Sequence, residues 1–353
     1  MDVLDHECPS CGANIVFNPT TQKWDCKYCG ASYTLDDFKK YEEEMNKKAK
    51  NTNVDSNINK NIDMDEYQCQ NCGARVVTDK NTTATSCVYC GSTTIIKNRL
   101  QGEFSPNAII PFSRVKEDAA SEFYKFSKKK WFAPKEFCKK ENIEEVKGVY
   151  IPFWLYDCDT DGDVSASCQQ VTTWTSGNYR YTKTDYYDVY RAGNMSFNKI
   201  PVDGSTKFDD DIMDSIEPYD YNNLVDFSPS YMSGFLAEKY DVNESDSYER
   251  AKNRANNSTI DRFKDTMKKY TTISINNSNI NVTKKKSAYV LLPVWMLNIK
   301  YKDKMYKFAM NGQTGKMVGN VPISVGKLLL KTFGVFSIST IIATIFFLGI
   351  GGL

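Results

Sequence analysis

The chain has 353 residues and a formal net charge of +1, with 45 Lys and Arg against 44 Asp and Glu. That length accommodates two or three compact units, and the neutral total points to no particular partner. Eleven cysteines would suggest disulfides in a secreted chain, but Met1 to Glu7 holds neither a basic nor an apolar leader region, so a disulfide framework is not expected and paired thiols point to metal.

In chain order, the first element is a cysteine unit over residues 1–34. Cys8-Pro9-Ser10-Cys11 is followed after 14 residues by Cys26-Lys27-Tyr28-Cys29. The same unit recurs over residues 67–100, where Cys69-Gln70-Asn71-Cys72 is followed after 14 residues by Cys87-Val88-Tyr89-Cys90, an offset of 61. The repeat extends past the cysteines, because Cys-Gly-Ala follows the first pair of each unit and Tyr-Cys-Gly closes the second. A CxxC turn places two thiolates on one side of a tight loop, and a hairpin that joins two such knuckles gives a tetrahedral four-sulfur site suited to zinc. Cys8, Cys11, Cys26, Cys29 and Cys69, Cys72, Cys87, Cys90 are therefore expected to hold two structural Zn2+ ions. Four protein thiolates leave no open coordination position, so neither ion is expected to be catalytic. Ile15–Phe17 and Arg75–Val77 read as hairpin strands, with turns at Asn18–Thr21 and Thr78–Asn81. His6 reads as a solvated terminal residue, and Cys138, Cys158 and Cys168 as small buried apolar groups.

Residues 35–66 read as a short amphipathic helix, with Leu35, Phe38, Tyr41 and Met45 at helical spacing, and then an Asn-rich linker over Asn51–Asp65. The two ribbons are accordingly expected to hang as separate beads. Residues 103–325 read as an α+β domain. Its expected elements are a strand over Asn107–Phe112, a helix over Ser113–Lys130, strands over Lys147–Cys158 and Ala288–Tyr301, and a helix over Glu244–Lys269. The two long strands share Pro-x-Trp, as Pro152-Phe153-Trp154 and Pro293-Val294-Trp295, which an internal duplication would explain.

Three site-like motifs fall in this domain. Asp157 to Val164 mimics the start of a calcium-binding EF-hand loop, but Cys168 stands where the bidentate Glu belongs; it reads as a hairpin turn, with calcium at Asp157–Asp163 as the alternative. Asn311-Gly312-Gln313-Thr314-Gly315-Lys316 has a phosphate-loop flavour without the required spacing, and reads as turns between two strands. Trp131-Phe132 lies among the lysines of residues 113–140, which hold 9 Lys and Arg against 4 Asp and Glu; a solvated helix face is the plain reading, a nucleic-acid or anionic membrane contact the alternative. Further on, residues 201–250 carry 3 basic against 13 acidic groups and residues 251–316 carry 14 against 3. A lysine run at Lys284, Lys285 and Lys286 is the expected contact with an anionic membrane, unless the two charge blocks pair with each other.

Thr332 to Leu353 has no charged residue, and Lys327 and Lys331 precede it. About 1.5 Å per residue carries such a segment across a hydrocarbon core of about 30 Å. Residues 328–353 are thus expected to form a transmembrane tail anchor in the cell membrane, single-pass, with the N-terminal part cytoplasmic.

Taken together, two ribbons, Gly148-Val149-Tyr150-Ile151-Pro152-Phe153-Trp154, Lys130-Trp131-Phe132-Ala133-Pro134, the Asn311–Lys316 motif and a terminal membrane helix resemble a family of bacterial membrane-anchored double zinc-ribbon proteins. Members are described as TFIIB-type zinc-ribbon proteins, or mislabelled as primosomal replication helicases. Some relatives neighbour phage-shock-type and flotillin-like membrane-stress proteins, so the resemblance implies partners of that kind. The residues themselves provide no nucleophile–base pair and no phosphate loop, so an enzyme is not expected. Residues 1–100 hold 12 basic against 14 acidic groups, and each thiolate-bound zinc adds about −2. That balance favours an adapter that binds a protein over the alternative, a membrane-tethered nucleic-acid binder.

Overall fold

The computed structural model describes residues 8–13, 15–37, 40–41, 64–79, 87–90, 92, 95–99, 106–140, 143–207, 210–302 and 304–350. Two four-cysteine knuckle regions precede a large, mostly sheet α+β domain, and an apolar helix follows it. His6 and most of the Asn-rich segment lie outside the described residues.

The first ribbon is an antiparallel sheet of β1 (Ile15–Asn18), β2 (Lys23–Cys26) and β3 (Ser32–Tyr33). Its turn is set by Asn18, whose Oδ1 accepts the Thr20 and Thr21 amides, the Asx geometry that lets a short side chain replace a backbone partner. Thr34 and Asp37 then cap a helical turn, the Thr34 hydroxyl accepting the Asp37 amide at 3.3 Å; residues 35–37 and 40–41 are helical, while Phe38 and Met45 lie outside the described residues. The second ribbon contributes β4 (Met64–Cys69), β5 (Arg75–Asp79) and β6 (Ile95–Arg99).

The domain is built on two very long strands, β8 (Ile143–Ser176) and β12 (Thr272–Tyr301), paired antiparallel. Its other elements are β7 (Ala108–Ile109), α1 (Lys116–Lys129), β9 (Tyr179–Asp203), α2 (Asp210–Ile216), β10 (Val225–Asp226), β11 (Leu236–Glu238), α3 (Glu244–Asp265), β13 (Lys304–Asn311) and β14 (Met317–Gly319). One half of the β8–β12 pair forms the core with β7 and β11 beside it. The other half leaves the core as a three-stranded arm with β9. Helix α3 covers one face of that arm through Ser247, Ala251, Ala255, Thr259 and Phe263. Their spacing of four keeps neighbours on one side of the helix, and the small size of Ser247, Ala251, Ala255 and Thr259 allows close approach.

The duplication suggested by Pro-x-Trp is visible in matched hydrogen bonds. Units β7–α1–β8–β9 and β11–α3–β12–β13 run in the same order, and each first strand lies parallel to the other unit's long strand. The two motifs sit symmetrically about the Ile151–Leu292 pair. Trp154 donates its indole N–H to the Val242 carbonyl and Trp295 donates to Arg114, just ahead of α3 and α1 respectively. Pro152 and Pro293 accept the amides of Gly204 and Gly312, both at 2.8 Å. The carbonyl of Gly204 accepts the amides of Asp241 and Val242, and that of Gly312 those of Ser113 and Arg114. Asp203-Gly204-Ser205-Thr206-Lys207 is thereby the counterpart of Asn311–Lys316, a turn that closes each unit rather than a phosphate loop. A proline inside a central strand forgoes a ladder bond. Here each one faces a glycine turn that approaches closely: a Cβ at Gly312 would lie 2.8 Å from Pro293 Cβ, and one at Gly204 would lie 3.4 Å from Pro152 O.

Several expectations are corrected. The ribbons are not separate beads. Strand β5 pairs antiparallel with β11, joining Val76 to Glu238 and Val77 to Ala237, so the second ribbon extends the domain's sheet. The first ribbon packs into the same apolar core. Asp157–Asp163 is not a turn but the middle of β8, paired on both sides. A continuous strand cannot wrap a calcium ion, and Gly162 is there because Asn279 O of the neighbouring strand would lie 2.2 Å from a Cβ. Strand β7 is only two residues long, because Pro111 cannot extend the ladder.

Helix α4 (Val325–Ile350) closes the described chain, and Val325–Thr344 is long and apolar enough to cross a membrane. Its base is tied to the loop after α1. Ser324 donates its amide to Phe132 O at 2.8 Å, Lys327 Nζ donates to Ala133 O, and Lys331 Nζ lies 4.0 Å from the centre of the Trp131 ring.

Candidate metal centres and their seat

Each thiol set is assembled from two knuckles with one shared backbone pattern. The amide of the first cysteine donates to the carbonyl five residues on: Cys8 to Ala13, Cys26 to Ala31, Cys69 to Ala74 and Cys87 to Ser92, at 2.7 to 2.9 Å. The glycine after the second cysteine returns its amide to the first cysteine's carbonyl, as at Gly12, Gly30 and Gly73. Those three glycines have φ of 73°, 75° and 70°, a left-handed conformation that a Cβ would strain. The sequence chemistry thus fixes the turn, and the turn aims two sulfurs the same way.

Cys8, Cys11, Cys26 and Cys29 converge, as do Cys69, Cys72, Cys87 and Cys90, each set with all sulfurs within 4.8 Å of one another. Closest Sγ–Sγ distances are 3.5 Å for Cys8–Cys29 and 3.6 Å for Cys11–Cys26, Cys69–Cys90 and Cys72–Cys87. These are far beyond a disulfide bond of about 2.05 Å. They approach the edge of about 3.8 Å of a tetrahedron with metal–sulfur bonds of about 2.3 Å. The donor set therefore fits one divalent ion per ribbon, and the eight predicted ligands fall together as two groups of four.

Without a cation the sulfurs compete for charge. At Cys8 burial opposes ionisation, but the Tyr33 hydroxyl and the Ser10 amide outweigh it and bring the thiol to about 6. At Cys11 the Ala13 amide favours the thiolate, yet burial and the three neighbouring sulfurs push it up to about 12. Burial pushes Cys87 up as well. A bound dication removes that competition, since metal ligation requires all four thiolates at once.

Residues Ser228–Glu238 seat both ribbons. On the first, Trp24 donates its indole N–H to Ser230 O at 2.8 Å, and the Phe17 amide donates to Ser233 O. Phe17, Trp24 and Tyr231 form a ring triangle with centroid distances of 5.0, 5.1 and 5.4 Å. On the second, Tyr89 donates its hydroxyl to Glu238 Oε2 at 2.5 Å, while Ser205 donates to Oε1 at 2.6 Å. Burial raises the Glu238 carboxyl to about 7, against the hydrogen bonds from Ser205 and Tyr89 that lower it. Sequence reasoning missed this seat. The available signal was a contrast inside the repeat: Val88 beside Tyr89 where Lys27 stands beside Tyr28.

Glu238 yields a pH prediction. An acid raised in the folded state keeps its proton while the unfolded chain loses it. Its contribution is then intact below about 4.5 and is lost as pH rises to about 7. Glu238→Gln retains an acceptor for Tyr89 and is expected to stabilise the metal-loaded protein by roughly 3 kcal/mol at pH 8. The gain should shrink as pH falls toward 5.5, which denaturant titration at the two pH values checks.

The lysine run sits in the arm. Lys284 Nζ lies 2.7 Å from Glu244 and Lys285 Nζ 2.5 Å from Asp159, so two of the three charges are paired. The acidic and basic blocks meet through Lys284 and Glu244 and through Arg254, which pairs with Asp214 and Glu217; within the acidic block Arg250 pairs with Asp203 at 2.8 Å and Asp210 at 3.0 Å. Cys138, Cys158 and Cys168 are buried and unpaired with another cysteine, as expected of small apolar groups.

No family model matches the chain, and no solved structure does. Over 326 residues the chain is 35% identical to the "Uncharacterized protein YdjG" of Bacillus subtilis (strain 168), and the match covers 92% of each chain.

Proposed function

Since this chain belongs to the same family as Bacillus YdjG, a premise that leaves its activity open, we propose that it is a membrane-anchored, non-enzymatic zinc-ribbon adapter that presents its ribbons to a protein partner on the cytoplasmic face. The observation that carries this reading is the common seat. Both ribbons rest on Ser228–Glu238 of a domain whose loop after α1 is also bonded to the base of the apolar helix. Ribbons held so are not reeled out on a linker; they stand in fixed geometry above the membrane. Zinc suits the four-sulfur donor sets, and with four thiolates per ion its role is to hold each ribbon's shape.

The protein reading is preferred to nucleic acid on charge. With two zinc ions the ribbon region carries about −6, and phosphate binding relies on a basic footprint. A flotillin-like or phage-shock-type membrane protein is the kind of partner proposed. The bilayer contact we propose is the helix base, where Lys331 lies over the ring of Trp131, itself 75% exposed, and Lys327 donates to Ala133 O. Aromatic and basic side chains gather at that depth of a membrane. Lys284–Lys286 is a weaker candidate because of its ion pairs.

Two experiments test the reading. Deleting Thr332–Leu353 should release the protein from membranes, and an N-terminal reporter should be cytoplasmic; a reporter on the outer face contradicts the orientation. Affinity purification from native membranes should recover a discrete protein with the wild type and lose it with Cys8→Ser/Cys26→Ser. Recovery of nucleic acid instead supports the second reading.

A further inference from the structure

The two ribbons are copies of one unit, but the same face is covered in one and open in the other. In the second ribbon the knuckle Cys87-Val88-Tyr89-Cys90 is packed against the domain, with Val88 1% and Tyr89 2% exposed. Its cover is the segment that carries β11: Leu236 belongs to the same apolar cluster as Val88 and Tyr89, β5 pairs with Ala237 and Glu238, and the Tyr89 hydroxyl donates to the Glu238 carboxylate. In the first ribbon the matching knuckle is Cys26-Lys27-Tyr28-Cys29, and Lys27, Tyr28 and Cys29 are all exposed, Tyr28 by 84%. The first ribbon is seated through its β1–β2 hairpin instead, by Phe17, Trp24 and Gln22, which leaves this knuckle facing outward.

We propose that the Lys27–Tyr28 knuckle is the partner-binding face of the first ribbon, and that it takes an extended protein segment carrying an acidic side chain, in the way the Tyr89 knuckle takes Leu236-Ala237-Glu238. The protein contains its own worked example of the contact. A tyrosine shares an apolar cluster with an aliphatic strand residue, and its hydroxyl donates to a carboxylate two residues on. The one substitution between the knuckles agrees with an acidic ligand. Lys27 replaces Val88, which trades an apolar contact for an exposed cation, and its charge offsets the negative thiolate cluster beside it. An isolated exposed tyrosine needs no explanation. A tyrosine that is buried against a carboxylate in one copy of a repeat and bare beside a lysine in the other points to an external carboxylate.

This inference rests on the adapter reading and names the chemistry of its partner. The test uses the full-length, metal-loaded protein in nanodiscs. The probe is a fluorescent peptide copied from residues Ser233–Asp241, together with the same peptide carrying Gln in place of Glu238. Fluorescence anisotropy should show saturable binding of the Glu peptide. Binding should weaken at least about fivefold with Tyr28→Ala, with Lys27→Glu, and with the Gln peptide. Tyr179→Ala, an exposed tyrosine on the distant arm, should leave it unchanged. Metal content identical to wild type shows that Tyr28→Ala keeps the ribbon folded. Absence of saturable binding, or equal binding by Tyr28→Ala, overturns the proposal. The adapter reading has its own outcome: if Tyr28→Ala still retains the zinc-dependent partner recovered from membranes, the adapter stands and this knuckle is not its contact.

Discussion

Trp24→Ala is expected to destabilise the protein by about 3–5 kcal/mol, the usual range for emptying a buried aromatic site. Trp24 is 1% exposed and fills the space between the first ribbon and the domain, against Phe17 and Tyr231. Its removal also takes from the buried Ser230 carbonyl one of its two donors, the Ser233 amide remaining at 3.1 Å, a loss in the range of about 0.5–1.5 kcal/mol for one net hydrogen bond. Because the site lies between two units, the variant should detach the first ribbon before the domain unfolds. Denaturant titration should therefore show an early transition followed by the domain's own. Trp24→Phe should recover part of the loss, since it restores the ring contact but not the hydrogen bond. A single unchanged transition in Trp24→Ala would mean that the first ribbon is not seated on Ser228–Glu238.

The second large effect concerns metal. The wild-type protein is expected to contain two zinc ions, and Cys8→Ser/Cys26→Ser to contain one. Binding a structural zinc supplies about 10–16 kcal/mol in small thiolate domains, more than a ribbon of this size can gain from its own core. The first ribbon should consequently unfold in this variant. Cys8 and Cys26 also belong to the apolar cluster that holds Phe17, Trp24 and Tyr231, so the seat should loosen with it. The second ribbon should keep its ion, because Cys69, Cys72, Cys87 and Cys90 form their own set and β5 remains paired with β11. Elemental analysis of the purified protein reads the stoichiometry. Loss of both ions together would show that the ribbons fold as one unit.

What the sequence revealed and what it hid follow from the range of the forces involved. The thiol sets were legible because a CxxC turn is a local device, and Cys-Gly-Ala records the backbone conformation that the turn needs. Helices α1 and α3 were legible for the same reason, through periodicity and end charges. The apolar halves of β8 and β12 were found as well, since a strand buried on both faces reads as a continuous apolar run. Their outer halves were not. Residues 159–176 and 272–287 are rich in Asn, Ser, Thr and Asp and face water on one side; they become strands through pairing with each other over more than a hundred residues of sequence, with β9 completing the arm across the turn at residues 177–178. The same limit explains the misread Asp157–Asp163 segment. Its acidic residues and glycine look like a loop in isolation, yet the glycine answers to a neighbouring strand that the local sequence does not mention. The seating of the ribbons was hidden because an Asn-rich stretch says that a connection is long, not that its ends are apart. Glu238 gave no warning at all, since an acid in Leu-Ala-Glu-Lys reads as a surface residue until β5 and Tyr89 cover it.

The most direct test of the account is hydrogen exchange on the full-length, zinc-loaded protein, read at Phe17, Val76–Val77 and Ala237–Glu238. If the ribbons are seated as described, these amides share the slow exchange of the β8–β12 core, and chelating the zinc releases the first two sites while the core stays protected. Rapid exchange at Phe17 and Val76–Val77 with zinc bound, unaffected by Trp24→Ala, would return the ribbons to independent beads and contradict the account.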